Sequence, residues 1–302
     1  MESHTLTISP QTNIHFTITK TSTPNNNPLL IFLHYWGGSS NTWHKQTSPT
    51  SPTSLTTTHN TVAIDLRGWG QSTGPTTSPK DYSITPMADD ILAILTHLQT
   101  TPSTTPLFAN GLILLGHSMG AKLALTVLST LPPPLLILIK GLVLLAPAPP
   151  TPLLLPEEMA TQQKQAYTSE ESIRWTVENV LSNTKNLTKE DMDMIVRDSS
   201  SGNALARDGW IMYGMAEDIT TLVEGVVGRL EGRKRKVRVW VVAGEEDVVE
   251  DKAKVEREVV GFLRQKEGLE VGFEVLGGMR HLVPLEEPGV VRRGVEWVVG
   301  EV

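Results

Sequence analysis

Residues 112–125 read LILLGHSMGAKLAL: a short apolar run, then Gly116-His117-Ser118-Met119-Gly120, then a stretch with helical spacing. Glycines bracketing a polar residue suit neither a strand interior nor a helix interior. The pattern marks a buried strand that turns sharply into a helix. Gly-x-Ser-x-Gly at such a turn holds the serine in a sparsely populated backbone conformation, with Oγ clear of the sheet and beside a helix N-terminus. As a string the pattern is weak. Its position at the end of a strand makes Ser118 the candidate nucleophile.

The surroundings supply that strand with neighbours. PLLIFLHYW (28–36), NTVAIDLRG (60–68), NGLILLGHS (110–118), IKGLVLLAPA (139–148), KVRVWVVAG (236–244) and LEVGFEVLGG (269–278) are short runs rich in apolar residues. Such runs fit strands buried on both faces, as in a parallel sheet. His4–Ile8 and Ile14–Thr21 instead alternate apolar and polar residues, which predicts an antiparallel pair with one wet face. Apolar stripes at helical spacing over Ile84–Leu98, Met119–Leu131, Val255–Leu263 and Val290–Val299 lie between or after the strands. Alternating strands and helices predict βαβ units and a sheet covered on both sides.

Residues 149–232 break this rhythm. They contain no good strand, and Glu170–Leu181 and Lys189–Arg197 read as helices. The expected organisation is an α/β core from residues 1–148 and 233–302, interrupted by a helical insertion at 149–232. Ser/Thr/Pro runs at 47–58, 72–79 and 99–106 read as surface loops. The first half of the chain carries few charges, but the strand–helix rhythm continues across the change, so one fold is expected.

A serine hydroxyl near neutral pH needs a base, and the base needs an orienting carboxylate. VVAGEEDVVE (241–250) places Asp247 just beyond a late strand, and GGMRHLVPLEEP (277–288) places His281 in the loop after the last one. Both belong to the sheet edge that carries Ser118. Asp247 is preferred over its neighbours Glu245 and Glu246. His4, His15, His44, His59 and His97 have no carboxylate in a comparable position, and His117 is expected to pack away from the chemistry. An oxyanion requires preorganised N–H donors. Met119 N–H, directly after the nucleophile, is one. The second is expected from the loop in LHYWGG (33–38), with Trp36 preferred and Tyr35 or Gly37 as alternatives. His34 and Tyr35 from that strand end, and Trp210 and Met215 from the insertion, are candidates for the substrate pocket.

Other function classes lose ground on composition. A net charge of −7 leaves no basic footprint for nucleic acid. The one basic cluster, Arg233–Lys236 with Arg238, precedes a strand and reads as a solvated loop. There is no cysteine, hence no disulfide and no thiol nucleophile. The longest apolar run, LLILIKGLVLLAPA (135–148), is cut by Lys140 and Gly141, so no membrane span is expected. MESHTLTISP (1–10) lacks the features of a signal peptide, and the expected location is cytoplasmic. No histidine or carboxylate spacing suggests a metal site, and Gly68-Trp69-Gly70 is too short for a dinucleotide loop. No cofactor is expected.

Five segments in order, LHYWGGSSNTW, IDLRGWGQS, GHSMG, VVAGEEDVVE and GGMRHLVPLEEP, resemble the α/β-hydrolase family in its cofactor-independent branch. The resemblance runs from about Leu29 to the C-terminus. It implies an eight-stranded, mostly parallel sheet with helices on both faces, Ser118, Asp247 and His281 as a triad, and the insertion as a helical cap over the pocket. Serine at the elbow separates the chain from the dehalogenase and epoxide-hydrolase members, which carry aspartate there. One departure is Tyr35, where the family usually has glycine after the first histidine; it leaves the second oxyanion donor open. The implied activity is a serine hydrolase acting on small, fairly apolar carboxylic esters or lactones through an acyl-enzyme. A ligand-sensing receptor, or perhydrolase and C–C bond hydrolase chemistry, are alternatives on the same fold.

Overall fold

A computed structural model describes residues 1–22, 25–230 and 235–300. The expected end of the insertion at 232/233, and Arg233 and Lys234 of the basic cluster, lie outside the described residues. Every strand expected from the sequence is present. The eight are β1 (Glu2–Ser9), β2 (Thr12–Thr19), β3 (Leu29–Leu33), β4 (Thr61–Ile64), β5 (Leu112–His117), β6 (Ile139–Leu145), β7 (Val237–Gly244) and β8 (Leu269–Leu276). They form one sheet in the order β1-β2-β4-β3-β5-β6-β7-β8. β1 pairs antiparallel with β2, and β2 antiparallel with β4; every other pairing is parallel.

The apolar runs have no polar alternation because both faces of the central strands are covered. Along β3, Leu29, Ile31 and Leu33 enter one core while Leu30 and Phe32 enter the other. β5 and β6 divide in the same way, with Leu112, Leu114, Leu142 and Leu144 on the first side and Ile113, Leu115, Val143 and Leu145 on the second. Successive side chains of a strand point to opposite faces, so a doubly covered strand must be apolar throughout. The helices Ile84–Thr100 and Met119–Thr130 close the first face, and Gly289–Val299 closes the second through Val290, Val291, Val295 and Val298.

Between β6 and residue 230 the described chain is helical, with Glu157–Gln165, Glu170–Thr176, Lys189–Ser201 and Thr220–Leu230 as its main elements. Glu170–Thr176 and Lys189–Ser201 each begin with a reciprocal capping box, Ser169 with Ser172 and Thr188 with Asp191. No helix among the described residues is long and apolar enough to cross a membrane.

The loop after β4 is anchored by a buried ion pair. Arg67 Nε and Nη2 donate to the two oxygens of Asp90, each at 2.6 Å, and its remaining donors reach the carbonyls of Asp81 and Pro86. Removing one partner of such a pair leaves an uncompensated buried charge. Asp90→Ala is therefore expected to lower unfolding free energy by about 3–5 kcal/mol. Chemical denaturation checks this, and a loss below ~1 kcal/mol would contradict it.

Candidate active site

Ser118 occupies the junction of β5 and the helix Met119–Thr130 with φ 54° and ψ −114°. L-residues rarely adopt such angles, and the surrounding backbone holds them. Ser118 N donates to Leu145 O on β6, and Ser118 O accepts from Ala121 N at 2.9 Å. The two glycines are required by close approach. A Cβ on Gly116 would sit 2.3 Å from Gly120 O, and one on Gly120 would sit 2.3 Å from Leu33 O. The spacing of the motif is thus the spacing at which strand, helix and β3 come into backbone contact.

His281 follows β8 and Asp247 follows β7, and the two side chains meet. His281 Nδ1 donates to Asp247 Oδ2 at 2.8 Å, with the side chains only 3% and 0% exposed. Asp247 Oδ1 in turn accepts from the backbone N–H of Val249 at 2.8 Å and of Glu250 at 3.0 Å. Both carboxylate oxygens are therefore committed, and the imidazole is held with Nε2 free of its proton. Burial alone would lower the His281 pKa; the charge and hydrogen bond of Asp247, then Glu250 and Glu286, outweigh it and raise the value above 6.5. The rivals Glu245 and Glu246 are exposed, and Glu245 pairs with Lys252.

The loop carrying His281 is braced from the helical segment. His281 N and Leu282 N both donate to Leu181 O, and Glu286 accepts from the N–H groups of Asn183 and Arg280. His117 is wholly buried, but against His281 and not away from it. Its ring lies between those of Tyr35 and His281, and Nε2 donates to His281 O at 2.7 Å.

Ser118 and His281 open on one cavity of about 270 Å³, whose wall also includes Tyr35, Trp36, Trp210 and Met215. Its remaining lining is mostly apolar, with Leu153, Tyr167 and Val180 from the helical segment. Neither Ser118 Oγ nor His281 Nε2 is hydrogen-bonded to any described residue. The N–H groups of Met119 and Trp36 likewise have no acceptor among the described residues, and those of Tyr35 and Gly37 share that freedom. The loop bearing them is gripped by the helical segment: Tyr167 Oη donates to Trp36 O, Ser199 Oγ to Gly37 O, and Trp36 Nε1 to Arg207 O.

His34 is placed differently from the expectation. It is wholly buried and absent from the cavity wall. Nδ1 donates to Tyr35 O at 2.7 Å while Nε2 accepts from Leu66 N at 2.9 Å, so the ring braces the ends of β3 and β4. Burial lowers its pKa to about 4 and keeps it neutral. Two residues escaped the sequence reading. Glu250 lines the cavity, although nothing in EEDVVE separates it from its neighbours. Lys122 is wholly buried, with Nζ donating to the carbonyls of Thr151, Met215 and Glu217. A lone lysine within the apolar helix after the elbow was the available signal.

Several solved structures share this architecture. A bromoperoxidase from Bacillus anthracis aligns with a TM-score of 0.75 at 14% identity, covering 99% of each chain. An esterase from Exiguobacterium antarcticum aligns at 0.71 and 18% identity, covering 96% of each chain. The enol-lactonase of Burkholderia xenovorans LB400 aligns at 0.69 and 17% identity, covering 95% of this chain and 96% of that one. At these identities the likeness is one of fold. No curated protein sequence matches the chain. A family profile does, over residues 30–293, a span running from the first parallel strand through the elbow to the last helix. The chain belongs to the alpha/beta hydrolase family.

Proposed function

We propose that the protein is a serine hydrolase that cleaves small, largely apolar carboxylic esters or lactones through an acyl-enzyme. The observation that carries this reading is the buried Asp247–His281 pair opening on the same apolar cavity as Ser118. In the proposed reaction His281 Nε2 takes the proton of Ser118 Oγ as the oxygen attacks the substrate carbonyl. Negative charge develops on the carbonyl oxygen beside Met119 N–H and Trp36 N–H, at the N-terminus of the helix Met119–Thr130. The imidazolium, stabilised by Asp247, then protonates the leaving alkoxide. Water, deprotonated by the same imidazole, releases the acid and restores Ser118. Residues 149–232 act as a cap, contributing Trp210 and Met215 to the wall.

The reading is tested by hydrolysis of phenyl esters from acetate to octanoate together with γ- and δ-lactones. Turnover of at least one class is expected, and none by Ser118→Ala. Equal turnover by both proteins would overturn the reading.

The pH profile follows from the raised His281 pKa. The base works only when neutral, so kcat/KM should rise with pH through a midpoint above 6.5. A rate independent of pH between about 5.5 and 8.5 would contradict that role.

A further inference from the structure

The cavity wall contains one carboxyl group that takes no direct part in the proposed proton transfers. Glu250 lines the cavity, yet its side chain is only 2% exposed, in a wall that is otherwise largely apolar. Its backbone is fixed, since Glu250 N donates to Asp247 Oδ1. Its carboxyl has one partner among the described residues: Lys254 Nζ, 3.0 Å from Oε2. Oε1 accepts from no described residue. A largely buried carboxylate is costly to leave with one oxygen that no described protein group pairs, and an occupant of the cavity that supplies a donor offsets that cost. Gln163, on the same wall, has a buried Oε1 without a partner.

We propose that Glu250 is a specificity-determining residue that accepts a hydrogen bond from a hydroxyl or amide N–H group on the substrate. This rests on the serine-hydrolase reading and narrows its substrate class to neutral esters or lactones bearing such a donor. A cationic donor is disfavoured because the Lys254 ammonium already occupies the other oxygen. A free carboxylate is disfavoured by the charge of Glu250 itself. Burial raises the Glu250 pKa to about 7 despite Lys254, so the accepting carboxylate prevails above that pH, and below it the proton goes to Oε1, the oxygen that Lys254 leaves free.

The test compares matched probes: the phenyl esters of 6-hydroxyhexanoic and 6-methoxyhexanoic acid. Their kcat/KM ratio is measured on the full chain, and their Kd by calorimetry on Ser118→Ala, which requires no turnover. The hydroxy ester should be favoured at least about tenfold in both measurements. The preference should fall to near one in Glu250→Leu and also in Glu250→Gln, where Lys254 Nζ takes the amide oxygen and the NH2 left toward the cavity can donate to hydroxyl and ether alike. Hydrolysis of both esters with equal kcat/KM and equal Kd would overturn the role of Glu250 and leave the hydrolase reading intact. A Kd preference that depends on Glu250, without turnover by the unaltered protein, would support Glu250 and overturn the hydrolase reading. Failure to bind or turn over either ester would overturn both.

Discussion

Replacing His281 by alanine is expected to lower kcat/KM for ester hydrolysis by roughly 10⁶-fold. On the proposed mechanism this ring carries the proton in every step. It accepts from Ser118, donates to the leaving group, and then activates water. No other described histidine can substitute. His117, the nearest, spends Nε2 on His281 O and is held neutral by burial, with its pKa pushed well below 6.5. His34 has both ring nitrogens engaged with backbone groups. The variant should stay folded, because the backbone bonds of His281 and Leu282 to Leu181 survive and Asp247 keeps two N–H donors. Steady-state kinetics beside circular dichroism checks this, and a loss under about 100-fold in a folded variant would assign the base elsewhere.

Asp247→Asn is expected to cost roughly 10⁴-fold with little change in shape. The reason lies in what surrounds the carboxylate. Oδ1 takes two backbone N–H groups, from Val249 and Glu250, so an asparagine must place its own oxygen there. Its amide nitrogen then occupies the position of Oδ2 and presents a donor to His281 Nδ1. The imidazole can only answer by accepting at Nδ1, which puts its proton on Nε2, where Ser118 needs a base. The turn thus selects the tautomer as firmly as the charge does. Asp247→Ala removes the misplaced donor as well as the charge, so the asparagine variant should be no faster than the alanine variant. The ratio of their kcat/KM values checks this. An asparagine variant at wild-type activity would sink the orienting role.

The centre of the sheet was legible in the sequence because β3, β4, β5 and β6 are buried on both faces and their composition says so without help from context, whereas the edge strand β8 reads the same way and is only partly buried. The same holds for Ser118: glycine is required at 116 and 120 by backbone contact, and that leaves a mark in the string. The candidate acid was harder. Three acidic residues follow Gly244 in succession, and only the fold shows that the third turns back to a histidine while the first two stay in solvent. His34 misled because a polar residue at a strand end beside the site looks like pocket lining. Its two ring nitrogens instead serve backbone groups of the segments that follow β3 and β4, which sequence cannot place in contact. Glu250 was invisible for a related reason. Its meaning lies in burial, and burial of a charged side chain is decided by tertiary packing, not by local pattern.

The measurement that tests the central claim most directly is labelling with a fluorophosphonate probe, read by intact mass, on the unaltered protein beside Ser118→Ala and His281→Ala. A serine activated by His281 takes a single adduct on the unaltered protein, none on Ser118→Ala, and labels much more slowly on His281→Ala. Adduct formation on Ser118→Ala equal to that on the unaltered protein, or no adduct on the well-folded unaltered protein, would contradict it.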